Sequence, residues 1–237
     1  MSIERDKNAK VIIIGNSPTI LNDEFGSLID SFDIVIRINR CLTKGFEKYI
    51  GSKTDIWATT KNYSAGKGRK FGYKETFIPD QYNEIKEIWK RAPATELENL
   101  PSRKPIYVMY KNDQFRKNIK GPLAHWQDAF DINKSTFKCK KLGNHELDTG
   151  LLTMLTAELF YSDITIHGFS FYGESDGLIQ CYYRDSELKD GEHHEDSWWK
   201  DQIRTGFASD NNTNLKNRYV QKLIETGKFK ILKEDKK

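Results

Sequence analysis

Residues 11–57 read VIIIGNSPTILNDEFGSLIDSFDIVIRINRCLTKGFEKYIGSKTDIW, and this stretch decides the fold. An apolar run, Val11 to Ile14, drives straight into Gly15-Asn16-Ser17. A second run, Ile34-Val35-Ile36, ends in Arg37-Ile38-Asn39. Short continuous apolar runs with glycine and polar residues at their ends read as strands buried on both faces. Both finish in small or polar side chains. In an open α/β sheet the carboxyl ends of parallel strands are where ligands bind. The stretch therefore predicts a small polar ligand held at those two tips.

Working outward, strand, helix and strand are expected over residues 10–37. A short helix or turn and a strand ending near Trp57 follow over 45–57. The polar, glycine-rich segment 58–75 reads as a loop. A strand is expected near Thr76–Pro79, a helix near Tyr82–Arg91, a proline-bearing connection over Ala92–Lys104 and a strand over Pro105–Tyr110. The clearest helix is Gly150–Tyr161, where Leu151, Leu152, Leu155 and Leu159 fall near a 3.6-residue period. A strand over Ile164–His167 ends at Gly168. Residues 169–195 form a long polar, aromatic stretch that reads as a lid loop. A helix over Asn214–Thr226, stopped by Gly227, and a strand over Phe229–Leu232 complete the chain. Alternating strands and helices imply an α/β fold with a mainly parallel sheet, in a single domain spanning residues 1–237.

The composition sets bounds on class. A chain of 237 residues hides roughly 70% of its unfolded surface on folding, so it can bury a sizeable core. No run approaches the roughly 20 apolar residues of a membrane span, and the opening MSIERDKNAK lacks the apolar centre of a signal peptide. A cytoplasmic protein is expected. Cys41, Cys139 and Cys181 are odd in number and lack metal-ligand spacing, which argues for free thiols. The net charge of +4 gathers at 67–74, 134–141 and 228–237. These clusters are either solvated surface or points of attraction to an anionic ligand or to the inner face of an anionic membrane. There is no nucleic-acid motif and no dense basic stripe, so no nucleic-acid partner is expected.

Four constellations could carry chemistry. Gly15-Asn16-Ser17 combines a close-approach glycine with an amide and a hydroxyl, although taken alone these residues read better as a structural tight turn. Arg37 and Asn39 stand at i and i+2, on one face of a strand. Asp148-Thr149-Gly150 opens the strongest helix, so it is an N-cap, an anion site, or both. His193-His194 closes the long loop and could act on a proton or a phosphate. No Asp-x-Asp pair occurs in the sequence, so no divalent-metal site for a nucleotide sugar is evident.

These blocks together resemble one family. Gly15-Asn16-Ser17, Ile29-Asp30-Ser31-Phe32-Asp33, Val35-Ile36-Arg37-Ile38-Asn39, Thr43-Lys44-Gly45-Phe46-Glu47 and Gly51-Ser52-Lys53-Thr54 are similar to the large sialylmotif of animal-type sialyltransferases. Residues Thr149 to Leu152 and Ile166 to Phe169 are similar to the small sialylmotif, and His193-His194 to the histidine motif after it. The resemblance implies a Rossmann-like, GT-A-variant glycosyltransferase that needs no metal and no cofactor. It would transfer a keto sugar acid from a CMP-linked donor, with inversion, to a glycan or lipid-linked glycan acceptor. By position, Asn16, Ser17 and Asn39 would bind CMP, with Gly15 letting the backbone come close. Thr149 and Gly150, capped by Asp148, would meet ribose and phosphate. Gly168 and Ser170 would line the nucleotide. His194 would donate to the departing phosphate, with His193 beside it.

Three departures from the family pattern stand out. The family's disulfide between its two motifs falls near Lys10 and Ser162, neither a cysteine, which points to a bacterial or viral relative. The family's base, a histidine followed five residues later by glutamate, falls on Asn211 and Lys216. Asp210 is then the candidate base, with His193 and His145 as substitutes. The loop before His193 is longer than the family's and holds Phe169, Phe171, Tyr172, Tyr182 and Tyr183. The altered base region leaves three readings: sialic acid transfer, transfer of Kdo or another ulosonate, and CMP-sugar binding without catalysis.

Overall fold

The computed structural model of the chain describes residues 5–39, 41–59, 78–90, 100–109, 138–139, 145–146, 149–169 and 223–233. The elements run β1 (Lys10–Ile14), a 3-10 turn (Pro18–Leu21), α1 (Gly26–Asp30), β2 (Ile34–Ile38), α2 (Glu47–Ile50), β3 (Ile56–Thr59), β4 (Glu87–Lys90) and β5 (Ile106–Val108). After them come β6 (Lys138–Cys139), β7 (His145–Glu146), α3 (Thr149–Phe160), β8 (Asp163–His167) and β9 (Lys230–Ile231). Seven strands form one sheet in the order β5-β4-β3-β2-β1-β8-β9, and every pairing in it is parallel. The expected α/β class and parallel sheet are what the chain forms. β6 and β7 make a separate antiparallel pair that no sequence pattern predicts.

The apolar runs are continuous because the sheet is covered on both sides. Val11 and Ile13 of β1 join Ile34, Ile36 and Ile38 of β2 against Leu151, Leu152, Met154 and Leu155 of α3. Ile12, Ile14 and Val35 face the other way, against Ile20, Ile29 of α1 and Ile50 of α2. Successive strand side chains point to opposite faces, so a two-sided sheet needs an apolar residue at each position. Each such side chain stabilises the fold by about 1.5–3 kcal/mol when fully buried. Helix α3 is buried through most of its length, and its two inner threonines are satisfied locally. Thr153 Oγ1 donates to the Thr149 carbonyl at 2.7 Å and Thr156 Oγ1 to the Leu152 carbonyl at 2.8 Å.

One expected helix is a strand instead. Residues 82–91 were expected to be helical, but turns at 80–84 lead into strand β4. The charged ends Glu87 and Lys90, which look like the polar face of a helix, are buried along with Ile88 and Trp89. Arg5 makes this possible by donating to both Glu87 carboxylate oxygens, at 2.6 and 2.8 Å. A partner 82 residues away thus overrides the local pattern. Residues 78 and 79, expected to be strand, carry no regular structure. Strand β3 runs on to Thr59, two residues into the expected loop. Near the end of the chain, residues 223–225 are helical and Gly227 follows at φ +74°, in the left-handed region that glycine adopts at a helix stop.

At the region where the resemblance places a disulfide, the two segments are tied by polar contacts. Lys10 pairs with Asp163 at the start of the β1–β8 ladder. The Ser162 amide and hydroxyl both donate to the Lys7 carbonyl at 2.9 Å. Arg5 adds a bond to the Tyr161 hydroxyl and lies 4.4 Å over the Phe160 ring. Cys41 is buried.

Candidate functional site

The sheet's order places the site. The chain steps outward from β1 to β5, then returns to lay β8 on the opposite side of β1. The strand order therefore reverses between β1 and β8, and a crevice at the carboxyl end of such a switch point is where open α/β sheets bind ligands. The two tips touch there. The Gly15 amide donates to the His167 carbonyl at 2.8 Å and the Ser17 amide to the Gly168 carbonyl at 2.9 Å. A Cβ on Gly15 would lie 2.2 Å from the Gly168 carbonyl oxygen. Gly168 itself has φ +72°, and a Cβ there would lie 2.7 Å from Ile20 Cδ1. The space that both glycines leave is thus used by the chain itself.

The polar residues of the first two strands meet at this edge. Asn16 Nδ2 donates to the Ile38 carbonyl at 2.8 Å, tying the β1 tip to the β2 tip. Ser17 is buried and caps the 3-10 turn. Its hydroxyl accepts from the Thr19 amide at 3.4 Å and lies 2.9 Å from Thr19 Oγ1. Asn39 has a left-handed backbone, φ +54°, a conformation asparagine tolerates better than most residues. Its amide donates to the Ala58 carbonyl at 2.8 Å and its carbonyl accepts from Trp57 Nε1 at 2.7 Å. The Asn39 Oδ1 atom is buried and has no hydrogen-bond partner. A buried orphan acceptor costs about 1–3 kcal/mol, so its presence calls for a partner. Arg37, expected beside Asn39, is fully buried and turns elsewhere. It donates to the Ile50 carbonyl at 2.6 Å, the Lys53 carbonyl at 3.0 Å and Thr54 Oγ1 at 3.1 Å, which fixes the end of α2.

Helix α3 delivers Thr149 and Gly150 to the same edge. It runs into parallel strand β8 through Tyr161 and Ser162, so it is antiparallel to the strands. Its 12 residues rise about 18 Å, enough to carry its first turn level with the strands' carboxyl ends. Its free N–H groups point outward there. The structure thus gathers Gly15, Asn16, Ser17, Asn39 and Gly168, and sets Thr149 and Gly150 on the same edge. Asp148, Ser170, His193, His194 and Asp210 lie outside the described residues, as does the expected lid beyond Phe169. His145 falls in β7. Among the described residues no group of three or more His, Cys, Asp or Glu side chains could hold a metal ion, and no helix is long and apolar enough to cross a membrane.

Sequence reasoning missed His167 as a site residue, because the last residue of a strand carries no special signal. Its Nε2 is buried without a hydrogen-bond partner, and Phe25 packs edge-on to the ring at 5.3 Å. Burial lowers its pKa from 6.5 to about 4, against the opposing pull of the Asp23 carboxylate and the Ile20 carbonyl. The ring is neutral at physiological pH. Between pH 4 and 6.5 the unfolded chain binds more protons at this position than the folded one does. The stability held by the neutral ring is therefore complete above pH 6.5 and drains away as the pH falls toward 4, by at most about 3 kcal/mol. Denaturant unfolding at pH 7 and pH 5 should show a loss for the wild type that is smaller in His167→Gln. Equal losses in the two proteins would remove this role from His167.

The chain is similar to known glycosyltransferases. The family model described as "Glycosyltransferase family 29 (sialyltransferase)" matches residues 2–201. A beta-1,6-galactosyltransferase of Arabidopsis thaliana is 41% identical over 70 residues, 30% of this chain and 18% of that protein. The lactosylceramide alpha-2,3-sialyltransferase of Rattus norvegicus is 22% identical over 235 residues, 94% of this chain and 56% of that protein. This chain thus spans little more than half the length of the relative it matches almost end to end. A crystal structure of a mammalian sialyltransferase superposes with a TM-score of 0.51 at 18% identity, covering 95% of this chain and 69% of that one. At that identity the likeness concerns the fold.

Proposed function

The chain belongs to glycosyltransferase family 29, the sialyltransferases, and from that premise we propose that it is an inverting, metal-independent transferase moving sialic acid from CMP-sialic acid to a hydroxyl of a glycan acceptor. One observation carries the donor half of this reading. The buried, unpartnered Asn39 Oδ1 lies at the carboxyl edge of β2, next to the Asn16–Ile38 tie and at the switch-point edge of the sheet. Asn16 and Asn39 hold the nucleotide there, and the first turn of α3, at Thr149 and Gly150, offers its amides to the phosphate.

In the proposed reaction the acceptor oxygen attacks the anomeric carbon opposite the leaving phosphate, which inverts that centre. The bond from the anomeric carbon to the phosphate oxygen breaks, and CMP leaves with the bonding electrons. His194 donates to the departing phosphate and so stabilises the charge that develops there. Asp210 takes the acceptor proton, and an oxocarbenium-like transition state asks little basicity of it. The acceptor is a glycan or lipid-linked glycan. We also propose a cytoplasmic location, since the sparse, odd set of three cysteines argues against a disulfide framework.

A second reading, a galactose donor, draws on the beta-1,6-galactosyltransferase similarity. One panel separates the possibilities. The pure protein is incubated with CMP-sialic acid, CMP-Kdo and UDP-galactose in turn, with glycan acceptors, and nucleotide release is followed. The expected result is release from CMP-sialic acid, lost in Asp210→Asn and reduced in His194→Ala. A much faster reaction with either other donor overturns the sialic acid assignment. CMP binding with no turnover from any donor, unchanged by Asp210→Asn, means a binding protein without catalysis.

A further inference from the structure

A cleft of about 580 Å³ opens on the carboxyl edge beside the candidate donor site, between the loop after β1 and the tips of β8 and β9. Its size is that of a small-ligand pocket, roughly 300–1,000 Å³. Phe25, Ile166 and Leu232 are among its lining residues and are buried. Asp23 and Lys233 are exposed and bring one carboxylate and one ammonium to it. His167 and Phe169 line it from the β8 end. Asn16, Asn39, Thr149 and Gly150 are not part of this lining.

We propose that this cleft is a saccharide subsite that takes a neutral sugar of the acceptor glycan, an inference that rests on the transferase reading above. The chemistry of the wall selects the ligand. Among the described lining residues, an anion would meet the Asp23 carboxylate with Lys233 alone to offset it, and a cation would meet Lys233. The imidazole adds no charge to tip that balance at neutral pH. A neutral polyol suits such a wall. Its hydroxyls donate to the Asp23 carboxylate and to the orphan acceptor His167 Nε2, and Lys233 donates back to a ring hydroxyl. Phe25 and Phe169 offer ring surface to the apolar C–H face of a pyranose. Phe25 already holds the His167 ring edge-on, so the imidazole is orientated before the sugar arrives. Phe169 follows Gly168, whose carbonyl bonds the Ser17 amide. A sugar in the cleft therefore sits one strand tip from the nucleotide, without sharing its asparagines.

The test uses the whole chain and two separate binding measurements. Lactose and a panel of galactose-, glucose- and N-acetylhexosamine-ended disaccharides are titrated by saturation-transfer NMR, and CMP by calorimetry. At least one disaccharide should bind, with its affinity lowered at least tenfold in Asp23→Ala and in Lys233→Ala, both exposed positions whose replacement leaves the fold intact. CMP affinity should stay within twofold of wild type in both variants, and CMP should not displace the sugar. Failure of every disaccharide to bind, unchanged sugar affinity in both variants, or displacement of the sugar by CMP overturns the subsite. Binding of inorganic phosphate at the cleft in place of the sugars also overturns it. Because CMP is read independently, loss of CMP binding with sugar binding intact strikes the donor reading and leaves the subsite standing.

Discussion

Alanine at position 15 should cost the fold about 3 kcal/mol, a shift of roughly a hundredfold in the folding equilibrium. The backbone of Gly15 is not in the left-handed region, so an alanine there carries no conformational strain of its own. The cost comes from the new methyl group. It would stand 2.2 Å from the Gly168 carbonyl oxygen and 2.9 Å from its carbon, and both are backbone atoms that no rotamer change can move. Gly168 cannot retreat either, because its carbonyl accepts from the Ser17 amide and the His167 carbonyl accepts from Gly15 itself. The strain must spread into the β1–β8 ladder. Gly45→Ala is the control. Its φ is +87° but nothing lies within 4 Å of the added Cβ, so it should cost only about 1 kcal/mol of backbone preference. Denaturant unfolding compares the two variants directly. Equal losses would show that the two strand tips are not in contact.

Removing the side chain of Asn39 should weaken CMP binding about 30-fold, the equivalent of about 2 kcal/mol for one buried hydrogen bond made to the ligand. The choice of replacement matters. Asn39 sits at φ +54°, so an alanine variant would mix lost contact with backbone strain. Asn39→Gly keeps the backbone at ease and removes the whole side chain, amide included. The main-chain bonds of residue 39 to Ala58 and Trp57 survive that change, and removing an orphaned buried oxygen relieves a penalty. The variant should keep its melting temperature while losing CMP. Calorimetric titration with CMP reads the affinity and thermal unfolding reads the fold. Unchanged affinity in a folded Asn39→Gly protein would take Asn39 out of the donor site.

Much of the motif resemblance turns out to mark architecture. Gly51-Ser52-Lys53 wraps the Asp30 carboxylate. The Ser52 and Lys53 amides donate to it at 2.9 Å and the Ser52 hydroxyl at 3.1 Å. Gly51, at φ +69°, has no room for a Cβ against Asp30 Oδ1. Arg37 likewise serves the end of α2. On the donor reading proposed above, the ligand-facing share of the large motif narrows to the strand tips, above all Asn16 and Asn39. Sequence similarity alone does not separate these two kinds of constraint, because a structural carboxylate clamp and a nucleotide clamp use the same side chains.

The sequence by itself determined most of the order of strands and helices, the parallel sheet and the small or polar residues at the strand tips. Those features are written locally. A strand covered on both faces needs an apolar residue at every position, and a strand tip needs glycine or polar residues where the chain turns. It also placed α3, whose burial shows as an apolar run at helical spacing. Only the tertiary structure decided that residues 87–90 form a strand, since Glu87 is buried by a charge 82 residues away in Arg5. Only the tertiary structure put the Gly15 and Gly168 peptides in contact, left Asn39 Oδ1 unpartnered, and held His167 neutral beside the Asp23 cleft. Each of these depends on which strand lies next to which, and the return of β8 to the flank of β1 has no signature in any single stretch of the chain.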